Sequence, residues 1–376
     1  MKICILTQPL KFNYGGILQA YALQKVLKQM GHSPITLNYD KPYKLTKKTI
    51  LKRIIAKLIL GKRISVFGRI TFPELNKHLM RFVSENIDCS ELIYAPLSYD
   101  HIKKYDFDAF IVGSDQVWRK AYSPYLPTFF LDFLTDKENV KKLAYASSFG
   151  IPSFDVNKDE LNTYASLIKQ FDAISVREKD AIDIVKNDLK SNATQVLDPT
   201  MLIDSSEYIK LIEKDLAQNE TETSPKQCFG YILDVSDKKK GILENIANKY
   251  GLSAKMLSIQ QFPPKDFNLE SCIQPAVTEW LSMIKNADFV VTDSFHGTVF
   301  SILFNVPFAV VANNGRGISR FNTLLETFNL QNRMILSDDP SSLEKLYQSN
   351  IDWDAVNATL IQQREKSKKF LSDALQ

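Results

Sequence analysis

Ala287-Asp-Phe-Val-Val-Thr-Asp-Ser-Phe-His-Gly-Thr298 runs from an apolar strand into a polar cluster, then into Gly297 and a second apolar run, Val299 to Phe304. A strand that ends in Thr292, Asp293, Ser294 and His296 and turns at once into a helix carries those side chains at its carboxyl end. In open α/β sheets ligands bind at that end. The N–H groups that open the helix favour an anion there. His296 is one of four histidines in 376 residues. Beside Asp and Ser at a strand-to-helix junction, it reads as a site residue rather than a packing one.

The same grammar recurs along the chain. Residues 2–6 form an apolar strand. A loop, 7–16, and a helix over 17–30 follow, with Gly31 as its natural C-cap and a strand over 34–38. This is a βαβ opening. Gly15-Gly16 suits a tight turn at the helix start, but it is not the GxGxxG of a dinucleotide site. Strands over 107–112, 142–146, 172–176 and 194–197 end respectively in Gly113-Ser-Asp-Gln-Val-Trp118, Ser147-Ser-Phe-Gly150, Arg177-Glu178 and Asp198-Pro-Thr200. Successive strands that end in small or polar residues, with helical patterns between, predict a doubly wound parallel sheet.

A polar stretch, 214–227, leads to a second unit of the same kind. Its strands fall at 228–233, 254–259, 289–292 and 308–312, its helices at 239–250 and 276–286. Asn313-Asn-Gly-Arg-Gly317 closes the last of these strands. The expected fold class is α/β, with two Rossmann-like domains and a cleft between them. The first domain spans 1–210 with a basic insertion at about 41–73. The second spans 228–340, and helices over 341–376 pack across the two.

An apolar fraction of 44% and a charged fraction of 24% belong to a globular protein. Net charge is +4, yet residues 41–73 hold ten Lys or Arg and no Asp or Glu, which leaves −6 on the rest. Within residues 48–60 the apolar positions fall on one helical face, with Lys52, Arg53 and Lys57 on the remainder. Such a helix either packs on its own domain or makes a peripheral contact with an anionic membrane or lipid-linked acceptor. Nucleic acid is not expected, because no helix-turn-helix and no interleaved aromatic platform is present. The apolar start is too short for a signal peptide and no run reaches the roughly 18 residues of a spanning helix, so a cytoplasmic location is expected. Cys4, Cys89, Cys228 and Cys272 are scattered without zinc or redox spacing. Reduced thiols and no structural metal follow.

Asn13-Tyr-Gly-Gly16 with Gln19, Gly113-Ser-Asp-Gln-Val-Trp118, Ser175-Val-Arg-Glu178, Asp198-Pro-Thr200 and Thr292-Asp-Ser-Phe-His-Gly297, in this order, resemble the polysaccharide pyruvyl transferase family over residues 2–330. The resemblance implies a GT-B-like fold. It also implies transfer of the pyruvyl moiety of phosphoenolpyruvate, a donor substrate rather than a cofactor, onto sugar hydroxyls with release of phosphate. The acceptor expected is a cell-surface glycan precursor such as a lipid-linked oligosaccharide. Many relatives carry Arg-Leu-His where this chain has Ser294-Phe295-His296, so other arginines must supply that positive charge.

Chemistry then distributes the roles. His296 is the expected general acid/base, or alternatively the cation that holds the departing phosphate. Asp115 is the expected base for the attacking hydroxyl. Arg177, Arg316 and Arg320, with Ser294 and Gly297, are expected on the donor, since a planar carboxylate joined to a phosphate calls for guanidinium forks and helix-start N–H groups. Asn13, Tyr14, Gln19, Ser114, Gln116 and Trp118 form the expected sugar site. Asp293 orients His296 or caps the next helix, Asp198 orders an interdomain turn, and Gly15 and Gly16 serve backbone geometry. A nucleotide-sugar glycosyltransferase of the same fold and a non-catalytic glycan-binding or assembly protein are the competing readings.

Overall fold

The computed structural model describes residues 1–41, 54, 72–137, 139–216, 226–257, 270–311, 317–336 and 341–376. The expected basic helix with Lys52, Arg53 and Lys57, and Arg316, lie outside these residues.

Short apolar runs become the buried inner parallel strands, as their Val, Ile, Phe and Leu content requires, and shorter, more polar segments pair at the sheet edges. In the first sheet these are β1 (Lys2–Leu6), β2 (Ser33–Thr36), β5 (Ala109–Val112), β6 (Lys141–Ser147), β7 (Ala173–Val176) and β8 (Thr194–Gln195), in the order β2-β1-β5-β6-β7-β8. A separate pair, β3 (Tyr39–Asp40) and β4 (Ile93–Tyr94), lies beside them. The second sheet holds β9 (Gln227–Tyr231), β10 (Ser253–Met256), β11 (Phe289–Thr292), β12 (Phe308–Val311) and β13 (Met334–Ile335), ordered β10-β9-β11-β12-β13. All pairs are parallel. Each sheet reverses its order once, between β1 and β5 and between β9 and β11. Those two reversals are the switch points at which open α/β sheets bind ligands.

The helices that matter for function are α1 (Tyr14–Gln29), α2 (Lys77–Asn86), α3 (Lys158–Ile168), α4 (Lys179–Asn187), α5 (Ser205–Leu216), α6 (Asp237–Tyr250), α7 (Val277–Lys285), α8 (Phe295–Leu303), α9 (Ile318–Thr327), α10 (Ser341–Tyr347) and α11 (Trp353–Leu375). α1 begins three residues earlier than its apolar periodicity suggests. Tyr14, Gly15 and Gly16 are themselves buried helical residues, drawn in by tertiary packing. Gly31 sits one position past the C-cap Met30 with φ +85°, where a side chain would be strained.

One apolar cluster runs without a break from Ile5 and Leu18 through Tyr14 and Trp280 to Phe300 and Val310, so the facing layers of the two sheets share a core. Tyr14 stacks on Trp280 with centroids 5.0 Å apart and planes 3° off parallel. Its hydroxyl donates to Pro275 O at 2.9 Å. α11 returns to the first sheet, where Arg364 Nε donates to Met201 O at 2.8 Å and Ser367 Oγ accepts from Leu197 N at 3.0 Å. A continuous apolar interface of this kind holds the two domains in register.

Candidate active site

Side chains from the carboxyl ends of β5, β7, β8 and β11 meet at Asp198. This carboxylate is 2% exposed. Its Oδ1 accepts from Thr200 N at 3.0 Å and Thr200 Oγ1 at 2.7 Å. Its Oδ2 accepts from Arg177 Nη1 at 2.8 Å and Ser114 Oγ at 3.2 Å, and lies 3.4 Å from His296 Nε2. Burial pushes the Asp198 carboxyl up, but His296, Arg177 and Thr200 outweigh burial and hold it far below the usual carboxylate range.

His296 comes from the second domain, in the first turn of α8, and is 5% exposed. Its separation from Asp198 exceeds a good hydrogen bond, a spacing that tightens when such a pair becomes charged. The ring is seated against α1 of the first domain. A Cβ built on Gly15 would lie 1.9 Å from His296 Nδ1 and 2.1 Å from Cγ. Gly15 is therefore the socket for the imidazole, a role beyond backbone geometry. Gly15→Ala favours the helix by about 1 kcal/mol yet pushes the imidazole out of place. The expected result is a thermal stability lowered by about 1–3 kcal/mol through overpacking, with activity reduced about 10²-fold or more. A fully active Gly15→Ala enzyme would show that this seating of His296 is not needed.

Arg177 follows β7 directly and is 4% exposed. Besides Asp198 it reaches Asp115, Nη2 to Oδ1 at 3.5 Å. Burial lowers its basicity, but Asp198, Asp115 and Glu178 together raise it above the ordinary value. Arg320, near the start of α9, is also buried and is pushed down to about 10, by burial first and by the Arg177 charge second. The two guanidinium groups flank the Phe295 ring at 4.2 and 5.7 Å from its centroid. Positive charge thus gathers around Phe295 from neighbouring elements, although the motif itself carries no arginine.

Asp115 sits in the turn after β5 with φ +71°, a left-handed backbone that costs about 1–3 kcal/mol for such a residue. Asn13 Nδ2 donates to its Oδ2 at 3.3 Å. The aspartate is thereby held toward the domain interface, beside Arg177.

Several expected contacts turn out to be structural. Gln19 is fully buried: its Nε2 donates to Thr7 Oγ1 and Gly16 O, both at 2.8 Å, and its Oε1 accepts from Ser114 N at 3.0 Å. Ser114 is spent on Ala146 O and Asp198. Trp118 is also fully buried, donates to Phe129 O at 2.9 Å and stacks on Phe130, so neither face is open to a sugar. Tyr14 belongs to the domain interface. These residues correct the expected sugar site, because motif residues beside a strand end served packing before binding. Gln116 Oε1 accepts from Arg119 Nη1 at 2.9 Å and abuts Gly150. Of the six, Asn13 and Ser114 reach the ionic centre directly, through Asp115 and Asp198.

Asp293 neither orients His296 nor caps α8. It accepts from Leu233 N at 2.6 Å and Asp234 N at 3.1 Å and pairs with Lys239 Nζ at 2.6 Å, which fixes the turn after β9. The cap is Ser294, whose Oγ accepts from Gly297 N at 3.3 Å, so that serine is occupied within its own helix. Gly297 is required by close packing: a Cβ there would lie 2.5 Å from Thr292 Oγ1. Gly16 packs against the Asn13 side chain. Asp198, read from sequence as a turn former, is the shared anion of the centre. Glu178 was missed as well. Its Oε1 accepts from Ser148 Oγ, Phe149 N and Gly150 N at 2.8, 3.0 and 3.2 Å, and so shapes the rim loop.

No group of three or more His, Cys, Asp or Glu among the described residues is arranged to hold a metal ion. No helix among them is long and apolar enough to cross a membrane. Cys4, Cys89, Cys228 and Cys272 are unpaired.

A family model described as polysaccharide pyruvyl transferase matches residues 13–315. Comparison with curated proteins gives no match. Among solved structures the chain is similar to UDP-GlcNAc 2-epimerase from Neisseria meningitidis bound to UDP-GlcNAc, at 12% identity over 100% of this chain and 99% of that one, with a TM-score of 0.53. It is also similar to UDP-GlcNAc 2-epimerase from Methanocaldococcus jannaschii, at 14% identity over 94% and 93% of the two chains, with a TM-score of 0.55. At these identities the similarity speaks for the fold alone, which is GT-B-like.

Proposed function

The chain belongs to the polysaccharide pyruvyl transferase family, and from that premise we propose that it moves the pyruvyl group of phosphoenolpyruvate onto hydroxyls of a sugar in a glycan precursor. The observation that carries this reading is the seating of His296 from one domain 3.4 Å from Asp198 of the other, with Arg177 on the same carboxylate oxygen and Arg320 close by. A proton carrier thus stands beside fixed guanidinium groups where the two domains meet.

In the proposed reaction His296 delivers a proton to the methylene carbon of the donor, which becomes a methyl group. The adjacent carbon takes on oxocarbenium character and accepts the first sugar hydroxyl. Asp115 takes the proton that this hydroxyl loses. Phosphate then departs with the C–O bond pair, and a second hydroxyl closes the ketal and gives up its own proton. Two hydroxyl protons leave, one replacing that given by His296 and one ending on phosphate. Arg177 and Arg320 supply positive charge to the carboxylate and phosphate, where preorganised groups act with little reorganisation. Asp198 holds the imidazole and stabilises it when charged.

Calorimetric titration with phosphoenolpyruvate, beside a panel of nucleotide sugars, tests the donor. Saturable heat with phosphoenolpyruvate and none with the panel is expected. Binding of a nucleotide sugar without any response to phosphoenolpyruvate would overturn the reading in favour of a glycosyltransferase.

A further inference from the structure

A groove of about 610 Å³ opens on the first domain, between the segment 120–127 and the start of α3. Its size falls in the range of about 300–1,000 Å³ typical of ligand sites. Both walls begin at the catalytic centre. The first is the connection leaving β5 through Asp115, and the second is the connection leaving the adjacent β6 through Gly150. Gln8 Nε2 ties the first wall to the site, donating to Gln116 O at 2.9 Å and to Ser123 Oγ at 3.1 Å. Glu178 fixes the root of the second wall through the Phe149 and Gly150 N–H groups.

The lining has the chemistry of hydroxyl recognition. Tyr125 lines the groove and is 41% exposed. Tyr164 lies beneath, its ring stacked on Phe130. Around them stand Lys120, Glu160 and Asn157; Asn157 Oδ1 accepts from Glu160 N at 2.9 Å and Thr163 Oγ1 donates to Asp159 O at 2.9 Å, so Asn157 offers its amide Nδ2 as the donor. Lys120 Nζ donates to both Glu160 oxygens, at 2.6 and 2.8 Å, an ion pair whose carboxylate has further lone pairs with which to accept from hydroxyls. Charge is balanced across the whole lining, Lys41 and Lys120 against Asp159 and Glu160. A strongly charged polymer gains nothing from such a surface, whereas a neutral, hydroxyl-rich chain fits it.

We infer that this groove binds the neutral sugar residues that adjoin the pyruvylated one and leads that end of the acceptor into the catalytic centre between the two walls. The inference rests on the proposed transferase reading for what happens at that end, and on the groove for what precedes it. Tyr125 stacks on a sugar face, while the Glu160 carboxylate and the Asn157 amide Nδ2 engage hydroxyls. The groove sets acceptor length and leaves the donor untouched.

The test uses the full chain, with unsubstituted tri- and tetrasaccharides of galactose, glucose, mannose and N-acetylhexosamines as probes beside the matching monosaccharides. Binding is read by saturation-transfer NMR and calorimetry, and phosphoenolpyruvate is titrated separately. At least one oligosaccharide is expected to bind about tenfold or more tightly than its monosaccharide, and Tyr125→Ala to remove that gain while phosphoenolpyruvate binding is unchanged. Tyr125 is exposed, so its truncation is compatible with folding; native circular dichroism verifies this. Oligosaccharides that bind no better than monosaccharides, or a Tyr125→Ala protein that keeps the gain, would overturn the groove. Oligosaccharide binding that Tyr125→Ala removes, in a protein that ignores phosphoenolpyruvate, would support the groove and sink the donor assignment instead.

Discussion

Replacing His296 with glutamine is expected to lower kcat by about 10²–10⁴-fold, the usual worth of a positioned general acid/base. Glutamine retains a polar end near the Gly15 socket and the Asp198 carboxylate but cannot carry a proton at neutral pH. Circular dichroism should therefore be native. Affinity for phosphoenolpyruvate should change by only about threefold or less, because an interaction made in the transition state affects kcat without ground-state binding. The two roles open to this histidine separate cleanly. Joint loss of turnover and of phosphoenolpyruvate binding would make it a phosphate ligand and place the proton elsewhere. Full activity in His296→Gln would remove it from the mechanism.

Asp198→Asn is expected to be the most destabilising single substitution at the centre, by about 3–5 kcal/mol, as for a buried ion pair that loses one partner. The asparagine removes the closer of the two anions paired with the buried Arg177, leaving Asp115 at 3.5 Å, and leaves His296 without its anion. The sign of the pH dependence follows from the carboxyl's depressed value in the fold. Unfolded, it titrates near about 3.9. Its contribution is therefore fully present above that value and is lost as pH falls from about 5 toward the lower folded value. Wild type should lose stability through this window, and Asp198→Asn should lose less of it. Urea midpoints measured from pH 7 to pH 3 test both statements. A variant within about 1 kcal/mol of wild type at pH 7, with the same acid slope, would contradict them.

The ionic centre also explains why charge types alone under-read this chain. Asp198-Pro199-Thr200 has the appearance of a turn, and in sequence it stands about 100 residues from His296. Its Oδ1 does cap the short helical turn through Thr200, as a turn former would. Its second oxygen is the functional one, and only the approach of the other domain reveals that. Trp118 and Gln19 mislead in the opposite direction. Indole and amide suit a sugar as well as they suit a core, and the choice depends on which face of the β5 turn is covered. Phe129, Phe130 and Phe149 cover it.

By itself the sequence determined the two doubly wound sheets, the polar ends of their strands, the family resemblance and the candidacy of His296 and Arg177. These are local properties, set by apolar periodicity, breaker residues and short motifs within one strand and its loop. Tertiary structure alone decided that Asp198 joins Arg177 and His296, that Gly15 is the socket of an imidazole from the other domain, and that Tyr14, Gln19 and Trp118 hold the fold. Each of those facts depends on which atoms meet across separations of tens to hundreds of residues. A side chain's type fixes what it can bind; packing fixes which partner reaches it first.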